Sequence, residues 1–201
     1  MPSDPEDAEQ PECDISRPRI LVVGVTGSGK TTVARHLASL LHVPHIELDA
    51  LYWEPNWTPA LPEKFRRRIS AATACDAWVV DGNYSVSHDI TWTKATMLVW
   101  IDYSLPLIMW RLWWRVLRRG LRREVLWNGN RDRLWTHFFS RNSLFLWALQ
   151  THGRIRATYP LEFRQPEYAH LQVVHLGSPS ETRTWLDSLT ALASEDCSSL
   201  P

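Results

Sequence analysis

A glycine-rich segment that ends in a lysine and a threonine has the residue types and spacing of a phosphate-binding loop. The segment reads G-V-T-G-S-G-K-T from Gly24 to Thr31 and fits the pattern G-x-x-x-x-G-K-[ST]. Glycines let such a loop curl so that backbone N–H groups point at phosphate oxygens, and the positive end of a following helix adds to the attraction. We therefore expect a nucleotide site formed by Gly24, Thr26, Gly27, Ser28, Gly29, Lys30, Thr31 and Thr32.

The residues on either side of this loop supply the strand and the helix that the pattern requires. Residues 20–23 are all apolar and predict a buried strand, and apolar residues at helical spacing from Thr32 onward predict an amphipathic helix. In this setting the Lys30 side chain would reach the β- and γ-phosphates of ATP, and the Thr31 hydroxyl would bind Mg²⁺. A glycine-rich turn with a solvated lysine is the alternative, and the agreement of motif and context favours the phosphate loop.

Two of the predicted strands end at an aspartate. H-I-E-L-D ends at Asp49, and W-V-V-D-G places Asp81 at the end of another strand. Because ligands of parallel sheets bind beyond the carboxyl ends of the strands, we expect both carboxylates to face one crevice. There Asp81 would hold Mg²⁺ together with Thr31, and Asp49 would orient or deprotonate an acceptor. The alternative is that each aspartate caps the loop or helix that follows it.

Arginine and tryptophan are concentrated in one segment of the second half. Residues 111–133 contain eight arginines and two acidic residues, a net charge of +6. On a helix, an apolar face would carry Leu105, Ile108, Met109, Leu112 and Val116. A second face would carry Arg111, Arg115, Arg118 and Arg122, and a third would carry Trp110, Trp113 and Trp114. A row of planar guanidinium groups suits phosphate oxygens. A solvated charged face, an anionic membrane surface and a nucleic acid are alternative explanations of the same pattern.

Short apolar segments alternate with helical patterns along the rest of the chain. Further strands are predicted at 45–48, 77–80, 96–101 and 171–176, and helices at 62–74, about 104–119, about 139–158 and from Ser180 onward. This alternation predicts an α/β fold with a five-stranded parallel sheet and helices on both faces.

Length and composition limit the domain organisation. A chain of 201 residues is long enough for one domain with a sizeable core and short for two, and we place this domain at 18–195. Residues 1–16 carry a charge of −6 with no basic residue, which predicts a disordered acidic tail over 1–17, and 196–201 would form a C-terminal tail. Three widely spaced cysteines fit neither a disulfide framework nor a zinc site and indicate a reducing cytoplasm, and no apolar run reaches the roughly 18 residues of a membrane span.

Several segments together resemble the adenylate-kinase-like branch of P-loop kinases, which includes bacterial proteins described as adenylate kinase or DNA topology modulation protein. The resemblance covers roughly residues 19–190 and is carried by GVTGSGKTT, LDALYWEPNW, WVVDGNYS, WIDYSLPLIMWRLWWRVLRR and LWNGNRD. It implies a P-loop NTPase fold of the nucleotide-kinase type, with ATP and Mg²⁺ as cofactors. It also implies an arginine-rich lid at about 119–138.

The resemblance further assigns roles to individual residues. Arg115 and Arg119 resemble the arginine pair at the lid entrance, Arg154 and Arg156 resemble the arginines on the helix that returns from the lid, and Gly177 lies in the loop that would touch adenine. Lys30, Asp49, Arg115 and Arg119 are the expected catalytic residues. The expected substrate-binding residues are Asp49, Trp53, Asp81, Gly82, Asn83, Tyr84, Arg154 and Arg156.

One departure from the adenylate kinase pattern bears on the acceptor. Adenylate kinases continue the Asp-Gly pair into Phe-Pro-Arg, whose arginine binds the acceptor phosphate, whereas here the chain continues with Asn83, Tyr84 and Ser85. We therefore expect a hydroxyl acceptor, such as a nucleoside or small polar metabolite, in preference to AMP. An arginine at 66–68 swinging over the acceptor is the alternative.

The whole sequence predicts a cytoplasmic, Mg-ATP-dependent phosphotransferase that acts on a small molecule, nucleoside or nucleotide. Two other classes remain open at this point. One is a P-loop ATPase that binds nucleic acid, which would show binding that weakens steeply with salt. The other is a nucleotide-binding regulatory module with negligible turnover.

Overall fold

The structure, a computed structural model, describes residues 17–122, 127–130 and 144–198. Its strands in chain order are β1 (Arg19–Gly24), β2 (His45–Glu47), β3 (Trp53–Glu54), β4 (Thr58–Pro59), β5 (Trp78–Asp81), β6 (Met97–Ile101) and β7 (Gln172–Leu176). Its helices are α1 (Lys30–Leu40), α2 (Leu48–Tyr52), α3 (Pro62–Ala72), α4 (His88–Thr91), α5 (Leu105–Arg122), α6 (Leu144–Glu162) and α7 (Pro179–Ser198). Short 3₁₀ turns occupy Pro55–Trp57, Ser85–Ser87, Trp127–Gly129 and Pro166–Tyr168.

Five of the strands form a parallel sheet in the spatial order β2-β5-β1-β6-β7. Successive residues of the central strands are buried alike, for example Val79 and Val80, which are both 0% exposed. Because neighbouring residues of a strand point to opposite faces, this pattern requires cover on both faces of the sheet. The prediction of a five-stranded parallel sheet between helices is confirmed.

The second strand ends earlier than predicted, and the segment after it folds into small elements that the pattern did not predict. β2 stops at Glu47, so Asp49 lies in the first turn of α2 and not in a strand. The chain then forms the antiparallel hairpin of β3 and β4 around a turn in which Asn56 and Trp57 have φ of 61° and 55°. Strands of two residues are too short to show alternation, which explains why sequence periodicity missed them.

Helix α5 presents the faces that were predicted for it. Ile108, Leu112 and Val116 are buried, while Trp110 and Trp114 are 59% and 54% exposed. The helix after the arginine-rich connection begins at Leu144 in the described residues and ends at Glu162, four residues later than expected.

Several predicted segments lie outside the described residues. They are the acidic tail up to residue 16 and the last three residues of the C-terminal tail. Positions 123–126 and 131–143, which cover most of the predicted lid and the five residues after it, also lie outside. Among the described helices, none combines the length and the apolar character that crossing a membrane requires.

A half-buried imidazole joins helix α4 to the last turn of α6. The ring of His88 stacks on Trp92 with centroids 4.1 Å apart, and its Nδ1 lies 3.6 Å from Oε2 of Glu162. Burial lowers the pKa of His88 to about 4, against a small opposing effect of Asp89. His88 is therefore neutral in the folded protein at neutral pH.

The lowered pKa of His88 predicts a loss of stability in acid. The unfolded chain takes up this proton near pH 6.5, whereas the folded protein takes it up only near pH 4. The contribution of neutral His88 to the free energy of unfolding is therefore complete above pH 6.5 and declines as the pH falls to 4. The loss in the free energy of unfolding is at most about 3 kcal/mol, as the difference between the two pKa values requires. Attraction between the imidazolium and Glu162 reduces it. The free energy of unfolding, measured with urea at pH 7.5 and at pH 4.5, should differ less between the two pH values for His88→Gln than for the parent. An equal difference in both proteins would contradict the assignment.

Candidate active site

The phosphate loop joins β1 to α1 and passes closely between strand β6 and helix α5. Gly24 has φ of 148°, and a Cβ atom there would lie 2.5 Å from the carbonyl oxygen of Ile101. Gly27 has φ of 84°, and a Cβ atom there would lie 2.6 Å from Cγ of Leu112. Both positions therefore require glycine for backbone conformation and for space.

The loop lysine lies inside this turn. The Nζ atom of Lys30 donates to the carbonyl oxygen of Val25 at 3.2 Å. Burial lowers the pKa of Lys30, while the carboxylates of Asp49 and Asp81 act in the opposite direction. An ammonium group that is removed from water gains strongly from an anion, so this position suits a phosphate group.

A hydroxyl and two carboxylates at the ends of α1, β2 and β5 offer oxygen atoms to a cation. The Thr31 hydroxyl donates to Oδ2 of Asp81 at 2.6 Å, and Asp81 is 5% exposed. Glu47 is the register partner of Asp81 across β2 and β5, and both line the cleft. In the described ranges no group of three His, Cys, Asp or Glu side chains could hold a metal alone. These residues therefore fit Mg²⁺ that arrives with nucleotide phosphates, since Mg²⁺ is commonly held by one or two carboxylates plus phosphates.

A cleft of about 3220 Å³ opens beside the loop, which exceeds the usual volume of a single small-molecule site and leaves room for two substrates. One wall of the cleft carries Asp49, whose Oδ1 accepts a hydrogen bond from the Tyr84 hydroxyl at 2.6 Å. Aromatic rings surround this pair with centroids 4.7–5.6 Å apart, namely Tyr52, Trp53, Trp57, Phe65 and Tyr84. We call this wall the aromatic wall. Of the predicted substrate-binding residues, it contains Asp49, Trp53 and Tyr84, and Gly82 and Asn83 lie beside them in the cleft.

The hairpin that carries two of these rings is fixed by a distant turn. Asn130, which is 4% exposed, accepts a hydrogen bond from the Trp57 N–H at 2.9 Å and donates one to the carbonyl oxygen of Glu54 at 2.9 Å. Asn128 donates to the carbonyl oxygen of Trp53 at 2.5 Å. These bonds stabilise a backbone in which Trp57 occupies the left-handed region, a conformation that costs about 1–2 kcal/mol for a non-glycine residue.

Two arginines of α5 contact the phosphate loop. Arg115 donates to the Thr26 hydroxyl at 3.2 Å, and Arg111 donates to the carbonyl oxygen of Ser28 at 2.9 Å. The guanidinium carbon of Arg111 also lies 4.9 Å from the ring centroid of Tyr103. Arg154 lines the cleft from α6. The side chain of Arg119 lies outside the part of the chain that the structure describes.

Two expected site residues have other partners. Arg156 donates through Nε to Oδ1 of Asp102 at 2.8 Å, and the same carboxylate faces His175 at 3.2 Å. The N–H of Gly177 donates to Glu181 at 2.8 Å, which resembles a helix cap. Neither residue lines the described cleft. We therefore assign the Arg156 contact to the support of α6 against the sheet.

Two of the three arginines of α3 are also engaged away from the cleft, and the third, Arg67, is exposed and does not line it. Arg66 makes a two-pronged contact with Asp89 at 2.6–2.8 Å, and Arg68 donates to the carbonyl oxygen of Leu51 and to Glu54. Neither guanidinium lines the cleft as formed by the described residues. The alternative in which one of them replaces the missing acceptor arginine thus has no support in this arrangement.

Three residues of the site were not assigned a site role from the sequence. Glu47 precedes Asp49 by two positions, a spacing that would have placed both on one side of a continuing strand. Arg111 belonged to the predicted arginine row, but nothing in the row identified its contact with Ser28. Asn130 lies in the LWNGNRD segment of the resemblance, but nothing there identified its partners, which are backbone groups more than 70 residues away.

Several known kinases are similar to this chain. No family model matches the chain. A shikimate kinase from Novosphingobium aromaticivorans is 31% identical over 136 residues, which span 56% of this chain and 69% of that protein. The solved shikimate kinase from Acinetobacter baumannii in complex with shikimate has 18% identity and a TM-score of 0.49, with coverage of 90% and 95%. A gluconokinase from Sinorhizobium meliloti has 20% identity, a TM-score of 0.48 and coverage of 89% and 95%.

The phosphate loop, the carboxylates and the sheet order define the class of P-loop kinases. Within that class, the Novosphingobium relative shows that the chain belongs to the shikimate-kinase-like family. It is an ATP-dependent phosphotransferase that uses ATP and Mg²⁺ and acts on a small-molecule substrate. The P-loop kinase part of the sequence resemblance is thereby confirmed, whereas the adenylate kinase and DNA topology modulation labels are finer than this relative shows.

The contacts of Asn130 predict a defined cost for the substitution Asn130→Asp. A carboxylate can still accept from the Trp57 N–H but places a second oxygen against the carbonyl oxygen of Glu54. We expect a loss of about 1–3 kcal/mol in the free energy of unfolding, as for a buried group that loses its partner. Urea denaturation measures it, with Asn56→Asp at the exposed tip of the hairpin as the matched control. Equal stability of Asn130→Asp and the parent would contradict the described anchoring.

Proposed function

We propose that this protein transfers the γ-phosphoryl group of ATP to a hydroxyl group of a small polar molecule, with Asp49 as the residue that orients and deprotonates the acceptor. The observation that carries the proposal is the aromatic wall itself. It combines one carboxylate with apolar rings, and Arg66 and Arg68 of the neighbouring helix α3 are engaged elsewhere. A monophosphate acceptor needs a cation at its own phosphate, whereas a hydroxyl acceptor needs a base and a surface for its apolar face.

The geometry of Asp49 suits this role. Tyr84 donates to Oδ1, so the carboxylate is held in one orientation and Oδ2 is left for a second hydrogen bond. Burial raises the pKa of Tyr84, and the charge of Asp49 raises it further, so Tyr84 stays a hydrogen-bond donor throughout the working range of pH. As the acceptor oxygen attacks phosphorus, its proton passes to Oδ2 of Asp49, and the bond from phosphorus to the leaving ADP oxygen breaks.

The cationic groups around the phosphate loop would stabilise the transferring group. Lys30 and the arginines Arg115 and Arg119 would neutralise charge on the phosphoryl oxygens, and Arg154 would contribute from α6. Thr31 and Asp81 would hold Mg²⁺, with Glu47 next to Asp81 in register. When bound, Mg²⁺ would supply positive charge that offsets the charge of the phosphates. Backbone N–H groups of the loop from Gly24 to Thr32 would bind the phosphates.

The proposed role of Lys30 predicts that Lys30→Ala abolishes transfer without unfolding the protein. Its ammonium group contacts the loop carbonyl and faces two carboxylates, so its removal deletes phosphate binding and leaves the apolar core of α1 in place. Acceptor-dependent ADP release should fall by at least about 10²-fold. Circular dichroism and the melting temperature report the fold, and Lys94→Ala serves as the control for loss of a lysine charge. Turnover comparable to that of the parent would refute the assignment.

The acceptor is tested by a panel with ATP and Mg²⁺. The panel contains AMP, nucleosides, sugars, gluconate and shikimate, the last two taken from the substrates named by the compared proteins. We expect ADP release with a hydroxyl compound and a fall of about 10²–10⁴-fold in kcat for Asp49→Asn, the usual contribution of a general base. Glu63→Gln, on the exposed side of α3, controls for loss of one carboxylate. Efficient transfer to AMP that survives Asp49→Asn and is lost when residues 66–68 are replaced would overturn the proposal.

A nucleic-acid partner is a second candidate, and one observation favours it. Trp110 and Trp114 are exposed, stand edge to face with centroids 5.6 Å apart and share α5 with the arginine row. Exposed indoles beside arginines are a stacking platform for single-stranded bases. Retention of the protein on single-stranded DNA that weakens steeply between 50 mM and 200 mM salt would support this partner. If the protein is not retained on DNA and does release ADP in the presence of an acceptor, the kinase function stands and the nucleic-acid partner is excluded.

We propose a kinase domain over 18–195 with a lid at about 119–138, an acidic tail over 1–17 and a C-terminal tail over 196–201. The wide spacing of the three cysteines supports a reducing cytoplasm as the compartment.

A further inference from the structure

A buried tyrosine behind the acceptor site holds one of the residues of that site. Tyr159 of α6 is 2% exposed, and its hydroxyl donates to Oδ1 of Asn83. Its ring lies between Trp92, Trp100 and Phe163, with centroid distances of 5.4–5.7 Å. Rings on three sides leave the phenol one orientation, so the position of its hydroxyl is fixed by the core.

This contact determines which end of the Asn83 side chain faces the cleft. A carboxamide has an oxygen that accepts and an NH₂ group that donates two hydrogen bonds. Asn83 lines the cleft and Tyr159 lies behind it. Because the oxygen is directed to Tyr159, the NH₂ group is the end that a ligand meets.

The next side chain along the chain, Tyr84, fixes Asp49 as a hydrogen-bond acceptor. Tyr84 gives its hydrogen to Asp49, which keeps a free oxygen for the hydroxyl of an acceptor. Asp49 therefore accepts and Asn83 donates, on the same wall of the cleft. This combination suits a molecule that offers a hydroxyl to the first residue and an oxygen with free lone pairs to the second.

We propose that Tyr159 is a positioning residue that fixes Asn83 as a hydrogen-bond donor, and that the pair selects acceptors that carry a second oxygen beside the reacting hydroxyl. Polyols and hydroxy acids meet this requirement, whereas an amino group at the second place would set donor against donor. The inference rests on the proposed function for its substrate, but the orientation of Asn83 is a property of the protein alone. The two parts are therefore tested separately.

The orientation is tested on protein labelled with ¹⁵N, through the side-chain amide signals. Asn83→Asp identifies the Asn83 NH₂ pair by its disappearance. Tyr159→Phe keeps the ring and removes only the hydroxyl, so the freed carboxamide should lose its distinct shifts and its heteronuclear NOE should fall. Tyr168→Phe is the matched control, because this buried ring packs against Trp92 at 5.2 Å from the same cluster. Asn83 signals that are unchanged in Tyr159→Phe, or changed equally in Tyr168→Phe, would overturn the proposal.

The selection is tested by kinetics on the acceptor of the panel that supports the fastest ADP release. Tyr159→Phe should raise the KM for that acceptor roughly tenfold, the usual worth of one hydrogen bond, with kcat and the KM for ATP within about twofold. A loss of packing would instead lower kcat and ATP binding together, and that result would overturn the positioning role. If no member of the panel supports ADP release, that result counts against the proposed function. The amide signals would still decide the orientation of Asn83.

Discussion

The narrow passage of the phosphate loop between β6 and α5 is the constraint on which the rest of the site depends. Gly24 turns under the carbonyl oxygen of Ile101, and Gly27 lies against the side chain of Leu112. Arg111 then ties α5 to the loop through the carbonyl oxygen of Ser28. Strand β1, the start of α1 and the start of α5 are therefore fixed relative to one another, and the arginine row of α5 faces the loop as a consequence.

The register of the parallel sheet gives this fixed loop its chemical surroundings. β5 lies between β1 and β2, so Asp81 comes next to Thr31 on one side and to Glu47 on the other. The short helix α2 then turns Asp49 back over the cleft. Helix α6 connects the two ends of the site, because Arg154 lines the cleft while Tyr159, five residues further along the same helix, holds Asn83.

The sequence predicted the parts of the molecule that depend on local patterns. The phosphate loop has a fixed spacing, the central strands are continuous apolar runs, and the faces of α5 follow helical periodicity, so all three were predicted correctly. Asp49 was expected at a strand end and lies in a helical turn, since β2 has only three residues and carries little pattern. The assignment of Arg156 and Gly177 to the site rested on resemblance, and in the structure Nε of Arg156 donates to Asp102 and the N–H of Gly177 donates to Glu181. Such pairings join residues that no local pattern relates.

The anchoring of the hairpin by Asn128 and Asn130 has a consequence for how new specificities arise in this fold. One part of the proposed acceptor surface, the hairpin at 53–59, is held by a second stretch, 128–130, which lies about 70 residues further along the chain. A recombination that exchanges only the first stretch would deliver a hairpin whose left-handed turn has lost its partner. Acceptor preference should therefore be inherited as a two-part unit, and the two stretches should be exchanged together when one relative of this protein is converted into another.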